Sequence, residues 1–280
     1  MTLHYRAQPL AQGFNSIVAR PQSGLRWLSL DRLHLPSPGM SATLVTGEEE
    51  AGIGLLSGTC RLSILSPEGR LDVESGNGRA TPFEGPPTAI YVPRASTVHV
   101  MSLESPLEAA IYRAPSRRDT APRFIPPAET ANESFGRDNY RRSVYLLIGP
   151  GVDADRIVMG ETHTPSGNWS SYPPHKHDAD DPPESPSEEI YHFLLEPSFG
   201  FALQHVWTQG DAAGPPFEKA FAVHHGDTVL IPRGYHPTVV APGFTMVTLW
   251  AYAGEARGWR AWSAEESFAR LLGQDAAAQD

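Results

Sequence analysis

Short apolar runs separated by turn-forming residues dominate this chain of 280 residues. The 27 prolines and 25 glycines separate runs that are rich in Val, Ile, Leu, Thr and aromatic residues. Clear examples of such runs are residues 89–92, 143–148, 228–231 and 244–250. Strands of a β-sandwich or β-barrel have this length and these boundaries. The pattern therefore predicts an all-β protein.

One segment near the end of the chain has a helical pattern instead. Residues 263–266 read Ser-Ala-Glu-Glu, which has the form of a capping box. Phe268, Leu271 and Leu272 follow at helical spacing, and Gly273 can end the helix. We expect a short C-terminal helix with a structural role.

A proline-rich segment and a faint internal repeat indicate two domains. Residues 114–142 combine several prolines and charges with few apolar side chains, which suits a crossing between domains. A Pro-Phe-Glu triplet precedes a strand-like run and a Pro-Arg pair in both halves, at 82–84 and at 216–218. We therefore predict two related β-domains, residues 1–120 and residues 121–280.

Histidines are concentrated in the second half of the chain. Seven of the eleven lie in one window, as His175, His177, His192, His205, His224, His225 and His236. His175 and His177 point to the same face if their segment is extended. Such a pair alone fits two exposed loop histidines as well as it fits a metal site. A carboxylate and a third imidazole from later strands could complete a divalent-metal site with positions open for a substrate.

Two neighbouring glutamates compete for the carboxylate position. If a strand begins at Glu189, the side chains of Glu189 and Tyr191 share the inward face, and His192 points outward as a non-ligand. We therefore prefer Glu189 to Glu188. The acidic, proline-rich segment 178–187 is expected to be a mobile surface loop, which is a poor mount for metal ligands.

His236 is the candidate for the third imidazole. It follows the apolar run 228–231, and Gly234 bends the chain between them, so the imidazole could point back into a barrel. The alternative is a rim residue packed beside Tyr235. The first half lacks a His-x-His pattern, and its acidic run 48–50 is expected to form a solvated face. These features predict a metal site in the second domain and a structural role for the first.

Composition limits the class of partner. The formal net charge of −10 removes the basic footprint of a general nucleic-acid binder, and no stretch approaches the roughly 20 apolar residues that span a bilayer. Residues 1–14 lack the apolar core of a signal peptide, and the one cysteine, Cys60, suits a reducing compartment. We therefore expect a cytoplasmic protein that binds a small molecule. The sequence leaves homo-oligomerisation open.

The order of these motifs resembles the cupin superfamily. His-x-His, then Glu, then a glycine followed by Pro-x-Gly-x-His is similar to the two cupin signature motifs, and cupin jelly-roll barrels commonly hold a metal on three His and one Glu. Two departures are visible: the acidic segment lengthens the spacing from His177 to Glu189, and one residue rather than two separates Gly234 from His236. The resemblance implies two tandem cupin (jelly-roll β-barrel) domains.

Longer segments resemble a narrower family. Residues 167–178, 229–237 and 249–254 are similar to those of bacterial 5-deoxy-glucuronate isomerases of myo-inositol catabolism, and the resemblance runs nearly the full length of the chain. It implies an aldose–ketose isomerase that converts the sugar acid 5-deoxy-D-glucuronate to 5-dehydro-2-deoxy-D-gluconate. The 5-keto-4-deoxyuronate isomerases of pectin degradation are also similar and provide the runner-up activity. The ligands implied by the resemblance are His175, His177, Glu189 and His236.

The implied cofactor is one divalent transition metal, with Zn and Mn favoured and Fe, Co and Ni also compatible. A planar guanidinium best holds a substrate carboxylate, and Arg233 and Arg142 are the candidates, with a surface ion pair as the alternative role of each. Other hypotheses are a non-catalytic sugar-acid-binding cupin and a cupin dioxygenase. The base for proton transfer is a hydroxide on the metal or one of four side chains, Glu189, Tyr191, Tyr172 and Tyr235.

Overall fold

The structure, a computed structural model, describes residues 1–76, 78–210 and 214–273. Its strands are β1 (His4–Tyr5), β2 (Gly13–Val18), β3 (Ser29–Leu35), β4 (Ser41–Val45), β5 (Glu49–Ser57), β6 (Cys60–Ser66), β7 (Gly69–Glu74), β8 (Thr88–Val92), β9 (Thr97–Ser102), β10 (Leu107–Pro115), β11 (Arg123–Ile125), β12 (Ala131–Phe135), β13 (Arg142–Ile148), β14 (Val158–Thr164), β15 (Trp169–Ser170), β16 (His175–Lys176), β17 (Ser187–Glu196), β18 (Ala202–Thr208), β19 (Phe217–Val223), β20 (Thr228–Ile231), β21 (Thr238–Val240), β22 (Thr245–Gly254) and β23 (Ser263–Ala264). The helices are α1 (Arg20–Ser23), α2 (Glu266–Leu271) and two 3-10 turns, Pro127–Glu129 and Asp138–Tyr140. This inventory confirms the all-β prediction.

The chain forms two compact units. The N-terminal unit comprises residues 8–132 and 145–161, and the C-terminal unit comprises residues 1–7, 133–144 and 162 onward. Strand β1 belongs to the C-terminal unit because it pairs antiparallel with β20. The predicted division into domains at residue 120 stays a prediction.

The N-terminal unit has two antiparallel sheets around an aliphatic core. One sheet has the order β11-β8-β5-β10-β3-β2 and the other β4-β9-β6-β7. Along β6, Leu62 and Ile64 are buried while Arg61 is exposed, which is the alternation of a strand with one face on the core. Leu33 and Ile53 from the other sheet belong to the same core cluster. Hydrocarbon side chains therefore fill the interior of this unit.

Glu50 of the N-terminal unit is buried, although the sequence predicted a solvated position for it. Its carboxylate is fully buried and accepts hydrogen bonds from the backbone N–H groups of residues 155–157 at 2.6–2.8 Å. The Tyr91 hydroxyl donates a further bond at 2.8 Å. A buried carboxylate requires donors of this kind. The prediction of a solvated acidic face was wrong for Glu50, although Glu48 is exposed as expected.

In the C-terminal unit, the central strand β17 pairs with a neighbouring strand on each side. One of its sheets contains β1, β20, β17 and β22 in that order, a second sheet has the order β15-β21-β18-β19, and β16 pairs with β23. Strand β17 is buried along nine of its ten residues and pairs with both β20 and β22. Tyr191 and Phe193 of β17 belong to the core cluster together with Val206 and Ile231. Ladder hydrogen bonds on both sides therefore fix the backbone of β17.

The helices are short, and the C-terminal one is confirmed with a different start. Its N-cap is Glu265 rather than Ser263, and the Glu265 side chain accepts a hydrogen bond from the N–H of Phe268 at 3.0 Å. Ser263 lies in β23, opposite Lys176, so strand pairing has removed it from the predicted capping box. None of the helices in the described part of the chain is long and apolar enough to cross a membrane.

Candidate metal centre

Glu189 lies on the central strand β17, opposite Ile231 of β20 and Tyr252 of β22. It is 4% exposed and shares a face of the strand with Tyr191, because alternate residues of a strand point the same way. Glu188 therefore points to the other face. The carboxylate that meets the candidate imidazoles is that of Glu189.

His177 follows β16 and points its ring at Glu189. Its Nε2 lies 3.1 Å from Glu189 Oε2. Its Nδ1 lies 3.0 Å from the backbone carbonyl oxygen of Ser187, which can only accept a hydrogen bond, so Nδ1 carries a proton. In the neutral ring the lone pair is therefore on Nε2, beside the carboxylate.

His236 approaches the same carboxylate from the turn after β20. Its Nε2 lies 3.3 Å from Glu189 Oε2, and its Nδ1 donates to the carbonyl of Gly234 at 2.8 Å. The turn requires glycine at position 234, where φ is +96° and a Cβ would lie 2.4 Å from the carbonyl oxygen of Trp207. This local geometry again leaves the lone pair of the neutral ring on Nε2.

Three potential ligand atoms thus converge in a buried space. The ligand atoms of His177, Glu189 and His236 all lie within 4.8 Å of one another, and all three residues are buried. The Nε2 of His236 has no hydrogen-bond partner among the described residues, which is unfavourable for a buried nitrogen. A divalent cation would satisfy all three atoms, since imidazole and carboxylate are ordinary ligands of transition metals. The donor set therefore fits the implied metal.

His175 lies beside this group on the ligand side of β16. Its ring centroid is 4.6 Å from that of His236 and 6.3 Å from that of His177. Burial lowers the pKa of His175 well below its usual value, and the neighbouring imidazoles and the charge of Arg142 lower it further. The ring is therefore neutral at physiological pH, which is the form that binds metals.

Contact between Glu189 and His177 favours the charged form of each side chain. Burial opposes ionisation of Glu189, but the imidazoles of His177 and His236 outweigh that effect and hold its pKa below the usual value. Burial likewise opposes protonation of His177, but contact with the Glu189 carboxylate raises its pKa. The carboxylate is consequently ionised at neutral pH and available to a cation.

Tyr191, one of the three candidate tyrosines, lies beside the group. Its ring centroid is 5.8 Å from that of His236, and its hydroxyl forms a 2.8 Å hydrogen bond with the Ser171 hydroxyl. Burial, reinforced by the charge of Glu189, raises the pKa of Tyr191 well above its usual value. The phenol is therefore protonated and can donate a hydrogen bond.

The other two tyrosines have different surroundings. The ring of Tyr172 packs against those of Tyr140, Trp169 and Phe268. The ring of Tyr235 packs against Trp207, with centroids 5.4 Å apart. The structure therefore places both rings in aromatic packing. Their catalytic roles stay predictions.

Arg142, at the start of β13, is a cation close to the imidazoles. Its Nη1 donates to the carbonyl oxygens of Tyr140 and Tyr172 at 3.2 and 3.0 Å, and burial lowers the pKa of Arg142 to about 10. Its charge reaches both His175 and Tyr191. No carboxylate of the described residues forms an ion pair with it. A half-buried guanidinium that has no anionic partner can bind the carboxylate of a ligand.

Arg233 is held by the loop before β19. Its guanidinium donates to the carbonyl oxygens of Gly214 and Pro215 at 3.1 and 2.5 Å and lies over the ring of Phe217. These contacts join Arg233 to residues 214, 215 and 217. Its binding of substrate stays a prediction.

Sequence reasoning missed two aromatic residues of the site. The ring of Tyr252 stacks on His177 with centroids 5.5 Å apart, and that of Trp262 lies 5.2 Å from His175. Tyr252 is opposite Glu189 in the β17–β22 ladder, so a correct pairing of these strands would have revealed it. No sequence signal identifies Trp262.

His192 and the acidic segment also differ from expectation. His192 points away from Glu189, as predicted, but it is buried and its Nδ1 lies 2.9 Å from the Thr228 hydroxyl. In the acidic segment, Asp178 and Glu184 are held by an ion pair with Lys176. The prediction of an exposed position was wrong for these two side chains, which are 5% and 6% exposed, because each pairs with the lysine of β16.

A model of the KduI/IolB family matches residues 4–268 of the chain. This match covers almost the whole sequence. The chain belongs to the KduI/IolB family. The resemblance found in the sequence motifs is thereby confirmed.

Relatives and solved structures agree with membership of the KduI/IolB family. A 5-deoxy-glucuronate isomerase of Geobacillus kaustophilus (strain HTA426) is 34% identical over 250 residues, which cover 88% of this chain and 87% of that protein. The crystal structure of an IolB-like protein from Salmonella typhimurium LT2 has a TM-score of 0.85 at 28% identity, covering 97% of this chain and 100% of that chain. The crystal structure of an oxalate decarboxylase of Lactobacillus farciminis has a TM-score of 0.71 at 12% identity, and the match covers 97% of this chain and 90% of that chain. The predicted cupin fold is confirmed.

Proposed function

We propose that this protein is a metal-dependent 5-deoxy-glucuronate isomerase that converts 5-deoxy-D-glucuronate to 5-dehydro-2-deoxy-D-gluconate in myo-inositol catabolism. One observation carries the metal dependence: two imidazole lone pairs and one carboxylate converge in a buried space. The substrate is the one named for the relative that aligns with 88% of this chain. The corresponding proposal for location and partner is a cytoplasmic enzyme that binds a sugar acid.

The proposed metal ligands are His177, Glu189 and His236, with His175 beside them as the fourth. A bound divalent metal would act as a Lewis acid on the substrate carbonyl and the adjacent hydroxyl. Only one of the four side chains is anionic, so a divalent metal bound there would keep a net positive charge. That charge would stabilise the oxyanion that develops during isomerisation.

Tyr191 is assigned the role of donating a hydrogen bond to the substrate oxygen that gains negative charge during the proton transfer. An aldose–ketose isomerisation moves a proton between adjacent carbons through an enediol-type intermediate, so negative charge grows on a substrate oxygen. The protonated Tyr191 hydroxyl, next to His236 and bonded to Ser171, is a donor that can stabilise this oxygen.

Arg142 is assigned to the substrate carboxylate. Its guanidinium has no anionic partner among the described residues, and it lies close enough to His175 to lower that residue's pKa. Both Arg142 and Arg233 donate to two backbone carbonyls, and Arg142 is preferred because its charge acts on His175, one of the proposed ligands. A carboxylate at Arg142 would anchor the sugar acid at the end remote from the reacting carbonyl.

The proposed substrate is tested by an assay of two uronates side by side. Purified protein should convert 5-deoxy-D-glucuronate to its ketose with a kcat/KM at least about tenfold above that for 5-keto-4-deoxyuronate, because binding contacts discriminate on this scale. Product formation is followed by NMR, with heat-denatured protein as the control. Faster turnover of 5-keto-4-deoxyuronate would make the pectin-pathway activity the function.

Two further outcomes of this assay would overturn the isomerase proposal. Tight binding of the uronates without any turnover would indicate a non-catalytic cupin. Oxygen consumption coupled to loss of the sugar acid would indicate a dioxygenase. The assay therefore records ligand binding and oxygen uptake with the same protein preparation.

A further inference from the structure

A charge cluster lies in the acidic segment that the proposed reaction does not use. Lys176 Nζ donates to Asp178 Oδ1 at 2.7 Å and to Glu184 Oε2 at 2.9 Å. The side chains of Asp178 and Glu184 are 5% and 6% exposed, and that of Lys176 is 21% exposed. Lys176, Asp178 and Glu184 are named the lysine clamp. Because these charges are largely withdrawn from water, removing one of them leaves the others strongly destabilised.

The lysine clamp lies behind the segment 175–177, which carries two proposed ligands. Side chains alternate along an extended segment, so Lys176 points away from the face of His175 and His177. Strand β16 has two residues, and its pairing with β23 joins His175 to Ala264 and Lys176 to Ser263. So short a ladder provides few backbone hydrogen bonds to fix two ligands.

Asp178 connects the clamp to the second ligand segment. Its Oδ2 accepts the backbone N–H of Gly234 at 2.7 Å, and the carbonyl of Gly234 accepts the Nδ1 proton of His236 at 2.8 Å. The route from the Lys176 ammonium to the His236 imidazole therefore consists of three polar contacts. It passes through a glycine whose position admits no larger residue.

Glu184 connects the clamp to the loop and to β23. Its Oε2 accepts the backbone N–H groups of Asp178 and Ala179 at 2.9 and 3.0 Å. Its Oε1 accepts the hydroxyl of Ser263, which lies opposite Lys176 in the ladder. All four carboxylate oxygens of the clamp thus accept hydrogen bonds. These bonds join the segment 176–184 to Gly234 and to Ser263.

We propose that the lysine clamp positions the ligand segments 175–177 and 234–236 relative to each other and thereby sets the metal affinity. This inference rests on the proposed metal centre. Without the ammonium, Asp178 and Glu184 repel each other, Asp178 releases the Gly234 N–H, and the ring of His236 loses its fixed orientation. Changes in groups that orient ligands typically weaken metal binding by about 10–100-fold. Lys176 is therefore a positioning residue.

The test is a titration of the metal-free full-length protein with Co²⁺, followed by its visible absorption bands. Lys176→Met should raise the dissociation constant by about tenfold or more and change the shape of the bands at saturation. Lys176→Arg keeps a cation that can pair with both carboxylates, so it should stay within about threefold of wild type. Lys219, the one other lysine, is exposed on β19, and Lys219→Met is the matched control with unchanged binding.

A second variant covers the case in which Lys176→Met does not fold. Asp178→Ala removes the acceptor for the Gly234 N–H without leaving two unpaired carboxylates, and it should also weaken Co²⁺ binding by about tenfold. Folded variants with wild-type affinity and wild-type bands would overturn the positioning role, even if their thermal midpoints fall. If the wild-type protein itself binds no Co²⁺, the proposed metal centre fails and this inference fails with it.

Discussion

Glu189→Gln is expected to lower kcat/KM for 5-deoxy-D-glucuronate by at least about 10²–10³-fold. The substitution keeps the shape of the side chain but removes its negative charge. In the wild-type protein, Glu189 Oε2 lies 3.1 Å from His177 Nε2 and 3.3 Å from His236 Nε2. A metal contributes several kcal/mol to stabilising a developing oxyanion, and about 1.4 kcal/mol corresponds to a factor of ten in rate. The measurement is steady-state kinetics together with the metal content of the purified variant.

Glu188→Gln is the matched control for this prediction. Glu188 is also buried on β17, but it faces the opposite side of the strand. We expect its kcat/KM and metal content to stay close to those of the wild-type protein. If Glu188→Gln abolished activity while Glu189→Gln retained it, the assignment of the carboxylate ligand would be wrong.

Arg142→Met is expected to lower kcat/KM for the same substrate by about 10–100-fold, mainly through KM. Hydrogen bonds to charged groups contribute about 1.5–3 kcal/mol, and the variant loses the guanidinium that would hold the carboxylate. The free energy of unfolding should change little, because loss of the bonds to Tyr140 and Tyr172 opposes relief from burying a charge. Kinetics and thermal unfolding of the variant are measured together.

A neutral analogue separates this role from a general effect on the site. With the sugar that has a hydroxymethyl group in place of the carboxylate, wild type and Arg142→Met should have similar kcat/KM values. Arg233→Met is the parallel variant, for which a smaller loss is expected. Loss of discrimination between the acid and the neutral sugar in Arg233→Met alone would assign the carboxylate to Arg233.

The parts of the site that sequence predicts are those set by local chain geometry. Strand alternation predicts that Glu189, rather than Glu188, shares the face of Tyr191, and Glu189 is the carboxylate that lies beside His177 and His236. The glycine at position 234 predicts a bend that turns His236 inward, and the structure has a positive φ there and His236 Nε2 at 3.3 Å from Glu189 Oε2. The all-β fold likewise follows from short apolar runs between prolines and glycines.

The parts that sequence does not predict depend on contacts between distant segments. Tyr252 reaches His177 only because β22 pairs with β17, and strand register is not encoded in local periodicity. Asp178 and Glu184 have the composition of a solvated loop, but one lysine on the neighbouring strand holds them in place. Glu50 is buried because backbone N–H groups about a hundred residues later in the chain satisfy it.

The most direct test of the central claim is turnover of 5-deoxy-D-glucuronate by protein stripped of metal with a chelator, before and after each divalent metal is added back. The account predicts activity below about 1% in the stripped protein, since the site then lacks its Lewis acid, and recovery with one equivalent of a suitable metal. His236→Ala should not recover at that concentration. Full activity of a stripped, correctly folded sample with no detectable metal would contradict the account.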